Sequence, residues 1–85
     1  MELQRIIFEL LIENDYIFIR HNHYKYNNIN YYFIFYYSPT NLCVNVINIG
    51  KLRNEKIYKV EDYIDILKEN IRLKKLKNIV WMIKK

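Results

Sequence analysis

Two histidines, His21 and His23, stand two residues apart. On a β-strand that spacing projects both imidazoles to one side, where they can open a metal site or an acid–base pair. No acidic or cysteine ligand sits nearby in the sequence, so Asp15 or Cys43 would have to arrive through the fold; solvated or structural histidines are the simpler expectation. Cys43 is the single cysteine and lies in an apolar stretch, where a thiol behaves as a small inert hydrophobe rather than a nucleophile. Glu61, Asp62 and Asp65 form the densest carboxylate group, but they open a helical pattern, where the helix dipole stabilises acids without catalysis. One glycine in 85 residues cannot supply a phosphate-cradling loop. One cysteine cannot supply a zinc finger, zinc deaminase or iron–sulfur centre. The expectation is a chain without catalytic residues, metal or cofactor.

Binding chemistry is better represented. Ten of the fourteen aromatics fall between Tyr16 and Tyr37, and nine of the fourteen are tyrosines, whose hydroxyl makes partial exposure inexpensive. A sheet face free of helices would display tyrosines drawn from Tyr24, Tyr26, Tyr32 and Tyr36 beside Arg20 and Lys25. Aromatics next to bases can stack on nucleobases or anchor protein interfaces. Charge is polarised as well: residues 51–85 carry eleven bases against five acids, a net +6, and residues 1–50 carry three against four, a net −1. Lys74, Lys75, Lys77, Lys84 and Lys85 cluster near the end of the chain, where they can meet phosphates or an acidic protein surface. The overall +5 favours anionic partners without naming one. Asn, Ile, Lys and Tyr supply 45 of the 85 residues, and all four are read from A/T-rich codons. That composition points to a low-GC bacterium, its phage or mobile element, or an A/T-rich virus, and it accounts for part of the lysine count.

The elements that must position these residues can be read from periodicity. Leu3, Ile6, Ile7, Leu10 and Leu11 recur at three- and four-residue steps, predicting a helix over 2–14; Phe8 and Ile12 widen its apolar arc. Asn14-Asp15 breaks that period, and residues 16–20 suit a strand. Asn27-Asn28 is the best turn signal in a hairpin over 22–30, because asparagine tolerates positive φ. Residues 31–37 form the next strand, with Tyr32, Ile34 and Tyr36 on one face and Tyr31, Phe33, Phe35 and Tyr37 on the other. After a turn at Ser38-Pro39-Thr40-Asn41, a strand over 42–49 puts Leu42, Val44 and Val46 toward a core and Cys43, Asn45, Ile47 and Ile49 away from it. Gly50 is expected to close that strand with a left-handed backbone. Ile57-Tyr58 suggests a short extra strand, residues 61–77 a second helix, and Ile79 to Ile83 a last short strand.

The result is one α+β domain over residues 1–85, ordered α-β-β-β-(β)-α-β, with an antiparallel sheet and two helices packed on one face. A chain this short has a small core, so self-association into a homodimer would supply further burial. Glu2, Arg5 and Glu9 interrupt any signal-peptide core, and the longest uncharged apolar run, Tyr31 to Tyr37, is far short of the roughly twenty residues a spanning helix needs. With a single cysteine, a cytoplasmic setting is expected, the host's cytoplasm if the chain is viral.

The helix, three-strand and helix order resembles the double-stranded-RNA-binding layout and the small HicA-type RNA-cleaving toxins that share it. "LLIENDYIFIR" followed by "HNH" is similar to that toxin family's helix, strand and histidine-bearing segment, and the resemblance would match His23, with Lys25 near it, to the catalytic histidine. The family's Gly-Ser ahead of the histidine is replaced by Arg20-His21-Asn22. The order also resembles small PD-(D/E)xK nuclease cores, but the strands at 31–37 and 42–49 contain no Asp or Glu. The leading expectation is a small non-enzymatic protein that blocks or bridges a protein or ribonucleoprotein partner, in the manner of phage or mobile-element inhibitors of host nucleic-acid machinery, anti-CRISPR proteins among them. The alternatives are an RNA-binding protein or toxin-type ribonuclease, and a structural or assembly component.

Overall fold

The computed structural model describes the backbone of residues 2–84 and the side chains of residues 2–77. Helix α1 (Glu2–Glu13) is followed by five strands, β1 (Ile17–Arg20), β2 (His23–Tyr26), β3 (Ile29–Ser38), β4 (Asn41–Asn48) and β5 (Asn54–Lys59), and by helix α2 (Val60–Lys84). All strands join one antiparallel sheet in chain order.

Local chemistry sets each turn. Asp15, at φ 71°, takes the left-handed position after α1. The Tyr16 amide donates back to the Leu11 carbonyl at 3.0 Å, a helix stop of the kind usually built with glycine. Asn27 and Asn28 both have positive φ and join β2 to β3 as a two-residue hairpin closed by Tyr26 opposite Ile29, the geometry that follows strand twist. Asn22, at φ 59°, turns β1 into β2. Ser38 pairs with Asn41 across the Pro39-Thr40 turn.

Parity then sorts the side chains. Tyr24, Tyr31, Phe33, Phe35, Leu42, Val44, Val46 and Tyr58 share one sheet face through the strand registers. Both helices lie on that face: Ile7 and Leu11 of α1 and Val60, Tyr63, Ile64 and Leu67 of α2 join Tyr24, Phe33 and Val44 in one buried cluster. Phe8 packs its ring 5.6 Å from both Tyr24 and Phe35, so the wide apolar arc of α1 is core contact on that flank, whereas Ile12 is exposed.

The expected hairpin over 22–30 forms as β2 and the start of β3, and the extra strand expected at Ile57-Tyr58 forms as the six-residue β5. Two expectations are corrected. No strand forms at 79–83, where α2 continues to Lys84: neither Gly nor Pro interrupts the chain after Glu61, so nothing stops the helix. Gly50 does not have a positive φ. Its amide donates to Asn48 Oδ1 at 2.9 Å, and a Cβ there would stand 3.2 Å from that oxygen and 3.4 Å from Ile29 Cγ2. Space, not handedness, favours glycine at this position.

Candidate functional site

The side of the sheet opposite the helices carries four cross-strand rows. Arg20, His23, Tyr32, Ile47 and Glu55 make one, Ile34, Asn45 and Ile57 a second, Tyr36, Cys43 and Lys59 a third, and Ile17 beside Lys25 and Asn30 a fourth. An antiparallel face turned to water ordinarily alternates to polar residues. Here the ground is apolar: Ile34 is 45% and Ile57 63% exposed. Tyr32, Ile34, Ile47, Ile49 and Arg53 line a shallow depression of about 300 Å³. Arg20, Lys25, Arg53 and Lys59 stand around this ground, and Arg53 donates to the Glu55 carboxylate beside it.

The centre of this face is shielded by its own neighbours. His23 is 9% exposed, and its ring stacks on Tyr32 with centroids 4.7 Å apart. The Arg20 guanidinium lies 5.9 Å from the same Tyr32 centroid. Neither His23 ring nitrogen has a protein hydrogen-bond partner, and the same is true of Asn45 Oδ1 and Asn22 Oδ1. Cys43 is buried in the row between Tyr36 and Lys59, its Sγ 3.8 Å from the Asn41 carbonyl oxygen. Among the described residues, no three His, Cys, Asp or Glu side chains converge as a metal cluster, and no helix is long and apolar enough to cross a membrane.

The predicted binding residues are divided by the fold. Arg20, Lys25, Tyr32 and Tyr36 share the uncovered face. Tyr24 is only 2% exposed and belongs to the core, because it pairs opposite Tyr31 on the helix-covered side. Tyr26 shares that side: Tyr16 stacks on it at 4.9 Å, and the Lys74 ammonium sits 3.3 Å from its ring centroid. Desolvation there lowers the Lys74 pKa, against the opposing pull of Asp15. Lys75 lines a hollow with Glu13 and Asp15 at the end of α1, and Lys77 is exposed farther along α2. The lysines therefore do not gather beside the sheet-face bases. The side chain of Lys84 and all of Lys85 lie outside the described residues. The face gains residues the sequence did not single out, namely Ile34, Ile47, Ile49, Arg53, Ile57 and Lys59. Their strand parity was visible; which face the helices would leave bare was not.

Compared with known proteins, the chain matches no family model, no curated protein and no solved structure.

Proposed function

We propose that this chain is a non-enzymatic binding protein that blocks or bridges a protein or ribonucleoprotein partner through the uncovered face of its sheet. The observation that carries the proposal is the apolar ground of that face, with exposed Ile34 and Ile57 and half-buried Ile49 set among Tyr32, Tyr36 and basic side chains. An apolar, aromatic centre with a polar rim is the anatomy of a protein interface. Arg53 and Glu55 satisfy each other, so Arg20, Lys25 and Lys59 leave the face positive, and its complement is an acidic partner surface.

Nucleic-acid stacking draws less support. Tyr32 has His23 against its ring and Arg20 close to it, so a base would have to displace one of them to lie flat. A ribonuclease reading asks for an imidazole open to a phosphodiester, whereas His23 is nine-tenths buried. The A/T-rich composition and small size favour a phage or mobile-element inhibitor of host nucleic-acid machinery, of the anti-CRISPR kind, working in the host cytoplasm.

Affinity capture from a low-GC bacterial host, with and without nuclease, tests the proposal when the native chain is compared with an Ile34→Asp/Ile57→Asp variant of unchanged circular dichroism. A protein retained after nuclease by the native chain, and bound roughly a hundredfold less tightly by the variant, is the expected outcome. Retention that requires intact nucleic acid, or that the variant preserves, overturns it.

A further inference from the structure

The 25 residues of α2 extend about 37 Å at the helical rise, and the molecule measures 50 × 24 × 20 Å. Val60, Ile64, Leu67 and Ile71 turn one side of α2 to the core. At about 3.6 residues per turn, Ile66, Leu73 and Leu76 fall on the other side. They are 38%, 49% and 45% exposed. They recur at steps of seven and three, the pattern of a two-helix seam rather than of scattered surface residues.

The charges along α2 say what fits this seam. Asp62, Asp65 and Glu69 occupy its first half, and Arg72 and Lys77 follow in its second. Of these, Arg72 and Glu69 form an exposed intrahelical pair at 2.7 Å, a weak interaction that leaves both groups available. A second α2 laid parallel would set acids against acids and bases against bases. Laid antiparallel, it sets the acidic half of each helix against the basic half of the other.

We infer that α2 pairs antiparallel with the α2 of a second copy of this chain through the Ile66, Leu73 and Leu76 stripe. The pairing leaves the sheet face free on each copy, so the dimer presents two copies of the partner-binding surface and binds a repeated or paired target with avidity.

Sedimentation equilibrium over a concentration series up to about 100 μM tests this on the full chain. The native protein is expected to reach the mass of a dimer, and a Leu73→Glu/Leu76→Glu variant, folded by circular dichroism, to dissociate roughly a hundredfold more readily. Asp65→Lys/Glu69→Lys is expected to weaken the dimer about tenfold, and adding Arg72→Glu/Lys77→Glu to restore it. A native chain that stays monomeric overturns the inference, as does a dimer indifferent to the leucine changes. A four-fold charge variant as weak as the two-fold one overturns the antiparallel arrangement.

Discussion

Replacing His23 with phenylalanine should stabilise the fold and leave partner binding unchanged. The imidazole is 9% exposed with neither nitrogen bonded to the protein, and a buried polar group without a partner costs on the order of 1–3 kcal/mol. Phenylalanine removes that cost and keeps a ring against Tyr32, where the present stack has a 4.7 Å centroid separation and a 25° interplanar angle. Its slightly larger ring offsets part of the gain, so a net stabilisation of about 1 kcal/mol is expected, or roughly 4–8 °C in a domain of this size. His23→Ala serves as the control: it deletes the ring and leaves a gap beside Tyr32, with an expected loss of about 1–2 kcal/mol. Thermal melts followed by circular dichroism, with urea denaturation as a second measure, read both changes. If the phenylalanine variant loses about 1 kcal/mol or more, the imidazole is hydrogen-bonded in the folded protein and the reasoning fails. The ring nitrogens are buried, out of a partner's reach, so affinity capture by the more stable variant should match that of the native chain. Weakened capture would show that the imidazole opens to the partner.

Other expectations follow from the core and from the helix side. Phe33 is fully buried, with Tyr24, Tyr31 and Tyr63 around its ring, so Phe33→Ala should cost about 3–5 kcal/mol and leave little folded protein by urea titration. Burial raises the phenol pKa of Tyr16 to about 12, with Tyr31 adding to the shift, and raises those of Tyr63 and Tyr24 above the ordinary 10.0. The unfolded chain therefore gives up these protons first, so stability should hold below pH 10 and fall as pH rises from there toward 12. The lowered Lys74 works the other way as pH approaches 10.5, one group against three. Tyrosinate absorbance rising in step with unfolding checks the sign, and full ionisation of a still-folded protein would contradict it. Neutralising Lys74, Lys75 and Lys77 together should leave partner capture within about twofold, because they stand on the helix side; a large loss would move the binding surface there. Lys74→Met keeps the apolar stem over Tyr26 and removes the cation, with an expected loss of about 0.5–2 kcal/mol in chemical denaturation. No measurable loss would mean that the ammonium adds nothing at that ring.

Much of this architecture could be read from periodicity. The helical stripe of Leu3, Ile7 and Leu11, the Asn27-Asn28 hairpin, the Pro39 turn and the inward parity of Leu42, Val44 and Val46 are local signals, and each recurs in the fold. The misreadings came where local signals were symmetrical. Ile79 to Ile83 has the composition of a strand, but an apolar run of five residues fits a helix continuation equally well, and the helix already in progress decided it. Tyr24 and Tyr32 have the same side chain and similar neighbours. Only the register of β2 on β3, with Tyr24 opposite Tyr31 and His23 opposite Tyr32, sends one to the core and the other to the open face. In the lysine cluster, charge was legible but direction was not: Lys74 folds onto Tyr26, a contact between residues far apart in the chain.

The bare sheet face follows from the number of elements, whereas its composition does not. Five strands at about 4.8 Å spacing make a layer that two helices, each about 10 Å across, can cover on one side only. The strands could have satisfied that geometry with an apolar inner face and a polar outer one. Instead, β3 and β4 place Tyr32, Ile34, Tyr36 and Ile47 on the side away from the helices. The exposed Ile34 adds nothing to the buried cluster of Phe33, Val44 and their neighbours, whereas Ile47, 6% exposed, is buried on this side. Edge charges at Arg20 and Lys59 discourage indiscriminate strand pairing and leave Ile34 and Ile57 accessible. The proposed partner binding rests on this apolar middle with charged margins. Polar residues substituted singly at Ile34 and Ile57 should therefore leave stability within about 0.5 kcal/mol while lowering partner affinity. Destabilisation beyond that range would show the face to be core of another kind.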